Sequence, residues 1–152
     1  MCFVMNNSFS IAKNLLEQNG EIVGATKGDS MRPLFRDGKD RAVIIPLPQK
    51  IKPNDVLLYK KNNSEDVVLH RIIKVVNNMP VFRGDALYFR EYDIPRENIL
   101  GIMKGFYRGE KYYDCKKSLK YKLYVFYIRV SYPLRRFGHK VKSFFKILKR
   151  KF

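Results

Sequence analysis

The chain has 152 residues, 45% of them apolar, and a formal net charge of +17. These values exclude a disordered chain and leave room for one domain with a real core plus an appendage. No acidic residue follows Asp114, and residues 116–152 carry thirteen Lys or Arg; the rest of the chain is left at +4, so any anionic partner belongs to the tail. Cys2 and Cys115 stand far apart, in neither a CxxC pair nor metal-ligand spacing with a His, and read as unpaired thiols of a reducing compartment. No run approaches the roughly 20 apolar residues of a membrane span. The opening MCFVM is too short, and lacks the basic residues, for a signal peptide. The expectation is a cytoplasmic protein with no metal and no cofactor.

In chain order, Ser8 as N-cap, Ile11, Leu15 and Leu16 on one face, and Gly20 just past the end predict a helix over about residues 9–18. From Glu21 the pattern turns to short apolar runs between turn signals. Strands are predicted at Ile22-Val23, Ala42–Ile45, Asp55–Lys60, Val67–Val76, Val81-Phe82 and Leu100–Tyr107. Their close spacing indicates a compact, antiparallel, mainly β body. After Gly109 the composition shifts: Leu119–Val130 is dense in Tyr, Leu, Val and Phe, and Pro133 is expected to break the pattern. Beyond it, apolar residues at 134, 137, 141, 144, 145 and 148 fit one helical face, with Arg135, Arg136, Lys140, Lys142, Lys146 and Lys149 on the other. The division expected is a domain over 1–115 and a basic amphipathic tail over 116–152.

Three groups carry candidate chemistry. Gly28-Asp29-Ser30-Met31-Arg32-Pro33 follows a strand; Gly28 permits close backbone approach, Pro33 stiffens the chain past the serine, and turn N–H groups there suit an oxyanion. Taken alone, the six residues read as an ordinary Asp-Ser turn. A serine needs a base, and the body holds one histidine, His70, in the middle of the longest predicted strand. Alternation places His70 with Val68 and Ile72 on one face, and Leu69, Arg71 and Ile73 on the other. That position suits a satisfied core histidine as well as a sheltered general base. Asp85, after Arg83-Gly84, is the candidate to orient the imidazole, or else a turn acid.

The order of these motifs resembles the signal peptidase family. Gly28-Asp29-Ser30-Met31-Arg32-Pro33 looks like its Gly-x-Ser-Met-x-Pro box, and Lys52–Tyr59 like its Gly-Asp-Val-Val strand. Val68–Ile73 resembles its base box, Arg83–Ala86 its Lys-Gly-Asp-Asn box, and Leu100–Met103 its closing strand. The boxes run from about residue 22 to 108. His70-Arg71 is similar to the endoplasmic-reticulum and archaeal branch, where housekeeping bacterial enzymes and LexA-type repressors use lysine. The resemblance implies a LexA/signal-peptidase-like β body with a short N-terminal helix and a basic helical C-terminal tail. It implies a serine endopeptidase acting on a peptide or precursor protein: Ser30 as nucleophile, His70 as base, Asp85 as the acid. It also implies an oxyanion and substrate-binding region at Gly28, Ser30, Met31 and Pro33, with the Ser30 N–H as donor and the Gly28 backbone as second contributor. Three departures stand out: the family's N-terminal anchor is missing, Ala86 replaces an Asn, and the second acid of the closing region is not evident, although Glu91 and Asp93 lie nearby.

For the tail the sequence ranks an anionic membrane surface first, through residues 119–152, then packing on the body, then nucleic acid, because its Tyr, Phe and Leu are too interleaved for a phosphate-binding stripe. The alternative to a peptidase is a non-catalytic binding module on the same scaffold.

Overall fold

In the computed structural model, which describes residues 2–4, 9–62 and 64–148 and the side chains of 9–62 and 64–139, the N-terminal apolar spacing forms helix α1, Phe9–Asn19. Ser8 lies outside the described residues. The inward face of α1 is centred on Ala12 and Leu16, so Ile11, expected inside, is exposed and Leu15 half-buried. Gly20 ends the helix in the left-handed region (φ +70°), and its N–H donates to the Leu16 carbonyl at 3.0 Å.

Among the described residues eight strands follow or flank it: β1 (Cys2–Val4), β2 (Ile22–Lys27), β3 (Asp40–Pro46), β4 (Val56–Lys60), β5 (Val67–Val76), β6 (Met79–Arg83), β7 (Ile99–Arg108) and β8 (Lys111–Asp114). All pairings are antiparallel, in the order β1-β2-β3-β7-β4-β5-β6, with β8 on β7. β1 also meets β5 at Cys2↔Val68. The six predicted strands correspond to β2–β7, and the fold class is mainly β with two helices. β1 and β8 were not foreseen.

Alternation on β4 and β5 divides the core. Leu58, Val67 and Leu69 join Leu16, Met31, Leu34, Phe35, Ile44 and Phe106 on one side; Leu57, Tyr59, Val68 and Ile72 join Phe82, Ile94 and Ile99 on the other. The first six residues of β5 are therefore buried in succession, including His70 and Arg71.

Helix α2 runs unbroken from Leu119 to Leu148 with Pro133 inside it, which corrects the expected break. Ser118 caps it, its Oγ accepting from the Tyr121 N–H at 3.3 Å. Packing on both sides of Pro133 offsets the lost backbone bond. Before it, Tyr121 and Ile128 are buried; after it, Arg135 Nη1 donates to the Asp85 carbonyl at 3.2 Å and His139 stacks on Tyr88 at 4.2 Å. Tyr121 belongs to the core, so the tail begins as part of the body. Arg135, expected on the outward basic face, instead turns inward; side chains from residue 140 onward lie outside those described. No helix among the described residues is long and apolar enough to cross a membrane.

Ile128 is 2% exposed and Phe126 66%. Ile128→Ala is expected to cost about 2–4 kcal/mol in chemical denaturation, and Phe126→Ala to stay within about 0.5 kcal/mol. Equal effects would show that α2 is not seated on the body by this face.

Candidate active site

Ser30 sits in the turn leaving β2. The Arg32 N–H donates to the Asp29 carbonyl at 3.0 Å, and Met31, Leu34 and Phe35 plug the core directly after the serine. The turn is thus anchored by burial while the Ser30 side chain meets β5. Its hydroxyl lies 2.9 Å from His70 Nε2.

His70 is 1% exposed, on the face of β5 shared with Val68 and Ile72. Its Nδ1 is 2.7 Å from Glu91 Oε2. An ionised carboxylate only accepts, so Nδ1 carries the proton and Nε2 keeps a lone pair for the Ser30 hydroxyl. The Tyr59 hydroxyl lies 2.9 Å from Nδ1 and donates to the same Glu91 oxygen through a short hydrogen bond. Lys61 Nζ takes Glu91 Oε1 at 3.1 Å. Glu91 is held in place by a two-bond bridge to Phe82 on β6, both N···O distances being 2.9 Å, and Phe82 stacks on Tyr59 at 4.2 Å.

Asp85, expected to orient His70, does not reach it; the acid on the imidazole is Glu91. Asp85 lies on the opposite face and receives Arg71 Nε at 2.8 Å, Arg71 Nη2 at 2.6 Å and the Tyr124 hydroxyl at 2.8 Å. Arg71 also donates to the Asn54 carbonyl (2.9 Å) and the Tyr121 hydroxyl (3.1 Å). The cause is the pleat: consecutive residues of β5 face opposite ways, so the acid that follows Gly84 serves Arg71. Asp85 nevertheless supports the nucleophile. Its neighbour Ala86 donates its N–H to the Ser30 carbonyl at 2.9 Å, and a Cβ on Gly84 would stand 2.5 Å from that same oxygen.

The remaining expected positions divide. The Gly28 N–H is committed to Asp37 Oδ1 at 2.6 Å, which corrects its assignment as an oxyanion donor. The Met31 side chain is fully buried in the core, so it anchors the turn and offers no surface to a substrate. Pro33 is exposed at the rim of the turn. Glu91 and Tyr59 join the candidate site without having been assigned from sequence; Tyr59 stands two residues along β4 from Leu57, the register partner of His70. Among the described residues, no group of three or more His, Cys, Asp or Glu has metal-binding proximity.

The electrostatics follow from burial. Desolvation lowers the His70 pKa below 6.5, and Glu91 offsets this only in part. Burial would raise the Glu91 carboxyl, but hydrogen bonds from His70, Tyr59 and Lys61 outweigh it and bring it down to about 2. Burial and the Glu91 charge both raise Tyr59, which stays a phenol. Burial opposes charge on Arg71, and Asp85 and Tyr121 outweigh it, holding the guanidinium protonated.

No family model matches the chain, and no curated protein or solved structure is similar to it at a significant level.

In the wild type, His70 is expected to titrate below 6.5 by NMR. Between that midpoint and the unfolded value the native state binds fewer protons, so stability rises with pH across this window; the Glu91 contribution is present above about 4.5 and lost as pH falls to about 2. In Glu91→Gln the burial penalty remains while the opposing charge is gone, so the His70 midpoint moves lower still; an unchanged or higher midpoint contradicts the pairing. Gly84→Ala is expected to push the Ser30 carbonyl away and slow any reaction at Ser30 by about tenfold or more while the protein stays folded, since a 1 Å misplacement can cost about 100-fold.

Proposed function

We propose that the protein is a serine endopeptidase of the signal-peptidase type, with Ser30 as nucleophile, His70 as general base and Glu91 as the carboxylate that orients the base. The observation that supports this most is the alignment of Ser30 Oγ, the two His70 ring nitrogens and Glu91, at 2.9 and 2.7 Å. The five ordered boxes and the antiparallel β body support a LexA/signal-peptidase-like arrangement for the fold.

In this reading Ser30 Oγ attacks the scissile carbonyl carbon as its proton passes to His70 Nε2. The imidazolium so formed is stabilised by Glu91, and the carbonyl oxygen becomes an oxyanion for which the Ser30 N–H is the donor the resemblance implies. The tetrahedral intermediate collapses: the C–N bond breaks and Nε2 returns the proton to the leaving amine. Water then gives a proton to the same nitrogen as its oxygen attacks the acyl-serine carbonyl; the ester C–O bond breaks, Nε2 returns the proton to Ser30 Oγ, and the acid product leaves. Tyr59 shares the Glu91 oxygen with Nδ1 and holds the carboxylate against the ring, a positioning role. Its substrate is a peptide or precursor protein.

A serine-directed acylating probe, read by mass spectrometry, is expected to label Ser30 in the wild type and not in Ser30→Ala. His70→Ala is expected to slow labelling by about 10²–10⁴-fold, the usual weight of a general base. Labelling that is absent from folded wild type, together with no cleavage of a peptide library, would replace this reading with a non-catalytic binding module.

A further inference from the structure

Helix α2 has two apolar faces, and the body covers only one. The inner face carries the buried Ile128 together with Tyr121, Tyr124, Tyr132 and Arg135, which bond or pack against the 83–88 segment and the core. The outer face carries Leu119, Leu123, Phe126, Val130, Leu134 and Phe137, each more than half exposed. Their steps of four, three, four, four and three residues keep them in one stripe along five turns. Lys122, Arg129 and Arg136, seven residues apart and exposed, border the stripe on one side, and Lys120 borders it on the other.

We propose that this outer stripe binds in the interface of an anionic lipid bilayer, with α2 lying in the membrane plane. An apolar centre flanked by cations is the arrangement an interfacial helix requires: aliphatic and aromatic side chains enter the acyl boundary while Lys and Arg reach the headgroups. The charge selects this occupant over two others. A second copy of the chain would bring together two segments of thirteen cations each and no acid. A nucleic acid would meet the apolar centre first, with the cations at the rim, the reverse of a phosphate-binding surface. The stripe begins where Ser118 caps the helix and continues past Pro133, so the packing that keeps α2 unbroken also keeps the stripe continuous. The inference does not depend on the catalytic reading.

The test is co-sedimentation of the full chain with vesicles of phosphatidylglycerol and phosphatidylcholine, against phosphatidylcholine alone. Binding is expected to the anionic vesicles and to fall with added salt. Leu134→Glu/Phe137→Glu, whose side chains touch solvent in the free protein, is expected to weaken that binding about tenfold or more with unchanged thermal unfolding; Lys122→Gln/Arg129→Gln/Arg136→Gln is expected to weaken it and reduce its salt dependence. Several results overturn the proposal. One is binding that survives the glutamate pair, which makes the attraction purely electrostatic. A second is binding to both vesicle types alike. Others are no vesicle binding together with a dimer that the glutamate pair dissociates, which makes the stripe a self-interface, and no vesicle binding together with salt-sensitive binding to a single-stranded oligonucleotide. Absence of binding to any of these also overturns it.

Discussion

His70 and Arg71 are neighbours on a stretch of β5 that is buried on both faces, and each must find a partner on its own side: an acceptor for the Nδ1 proton of neutral His70, and a carboxylate for the Arg71 cation. An unpaired charge there would cost about 3–5 kcal/mol. The segment from Arg83 to Glu91 meets both demands. It leaves β6, passes Asp85 beneath Arg71, and returns to bridge Phe82 at Glu91, behind His70. Ala86, between the two acids, holds the Ser30 carbonyl. One connection thus places the orienting carboxylate, neutralises the buried cation on the reverse face and fixes the serine turn. The ordering of the candidate site follows from the need to leave no polar group of β5 unpaired.

The C-terminal helix belongs to the same arrangement. Tyr121 and Tyr124 complete the hydrogen bonding of Arg71 and Asp85, and Arg135 reaches the Asp85 carbonyl. Stability of the site's far side therefore depends on residues that follow the last strand. The basic stretch is two things in one helix: an inner face that finishes the body and an outer face that stays exposed.

The parts of this arrangement legible in sequence were those with local periodicity. The β-rich run Val67–Val76 coincides with β5, and alternation correctly put His70 and Arg71 on opposite faces. The choice between Asp85 and Glu91 was not legible, because it rests on which face each acid occupies, and Glu91 is placed by a bridge between Phe82 and a residue nine positions later. Motif order favoured Asp85, the acid beside a glycine; the pleat of β5 decides otherwise. The resemblance put Met31 in the substrate-binding region, yet the turn tucks it into the core. Pro133 was expected to break the pattern, and tertiary contacts on both sides of it override that local preference. β8 is four residues long and its pattern is too brief to separate from a turn.

The central claim is that neutral His70 carries its proton on Nδ1, toward Glu91, and offers Nε2 to Ser30. Nitrogen-15 NMR of the full chain with labelled imidazole, above the titration midpoint of His70, tests it most directly. The account predicts a protonated Nδ1 and an unprotonated Nε2 in the wild type, with the bias toward this tautomer reduced in Glu91→Gln. A wild-type ring protonated on Nε2 would have no lone pair for the Ser30 proton and would contradict the account.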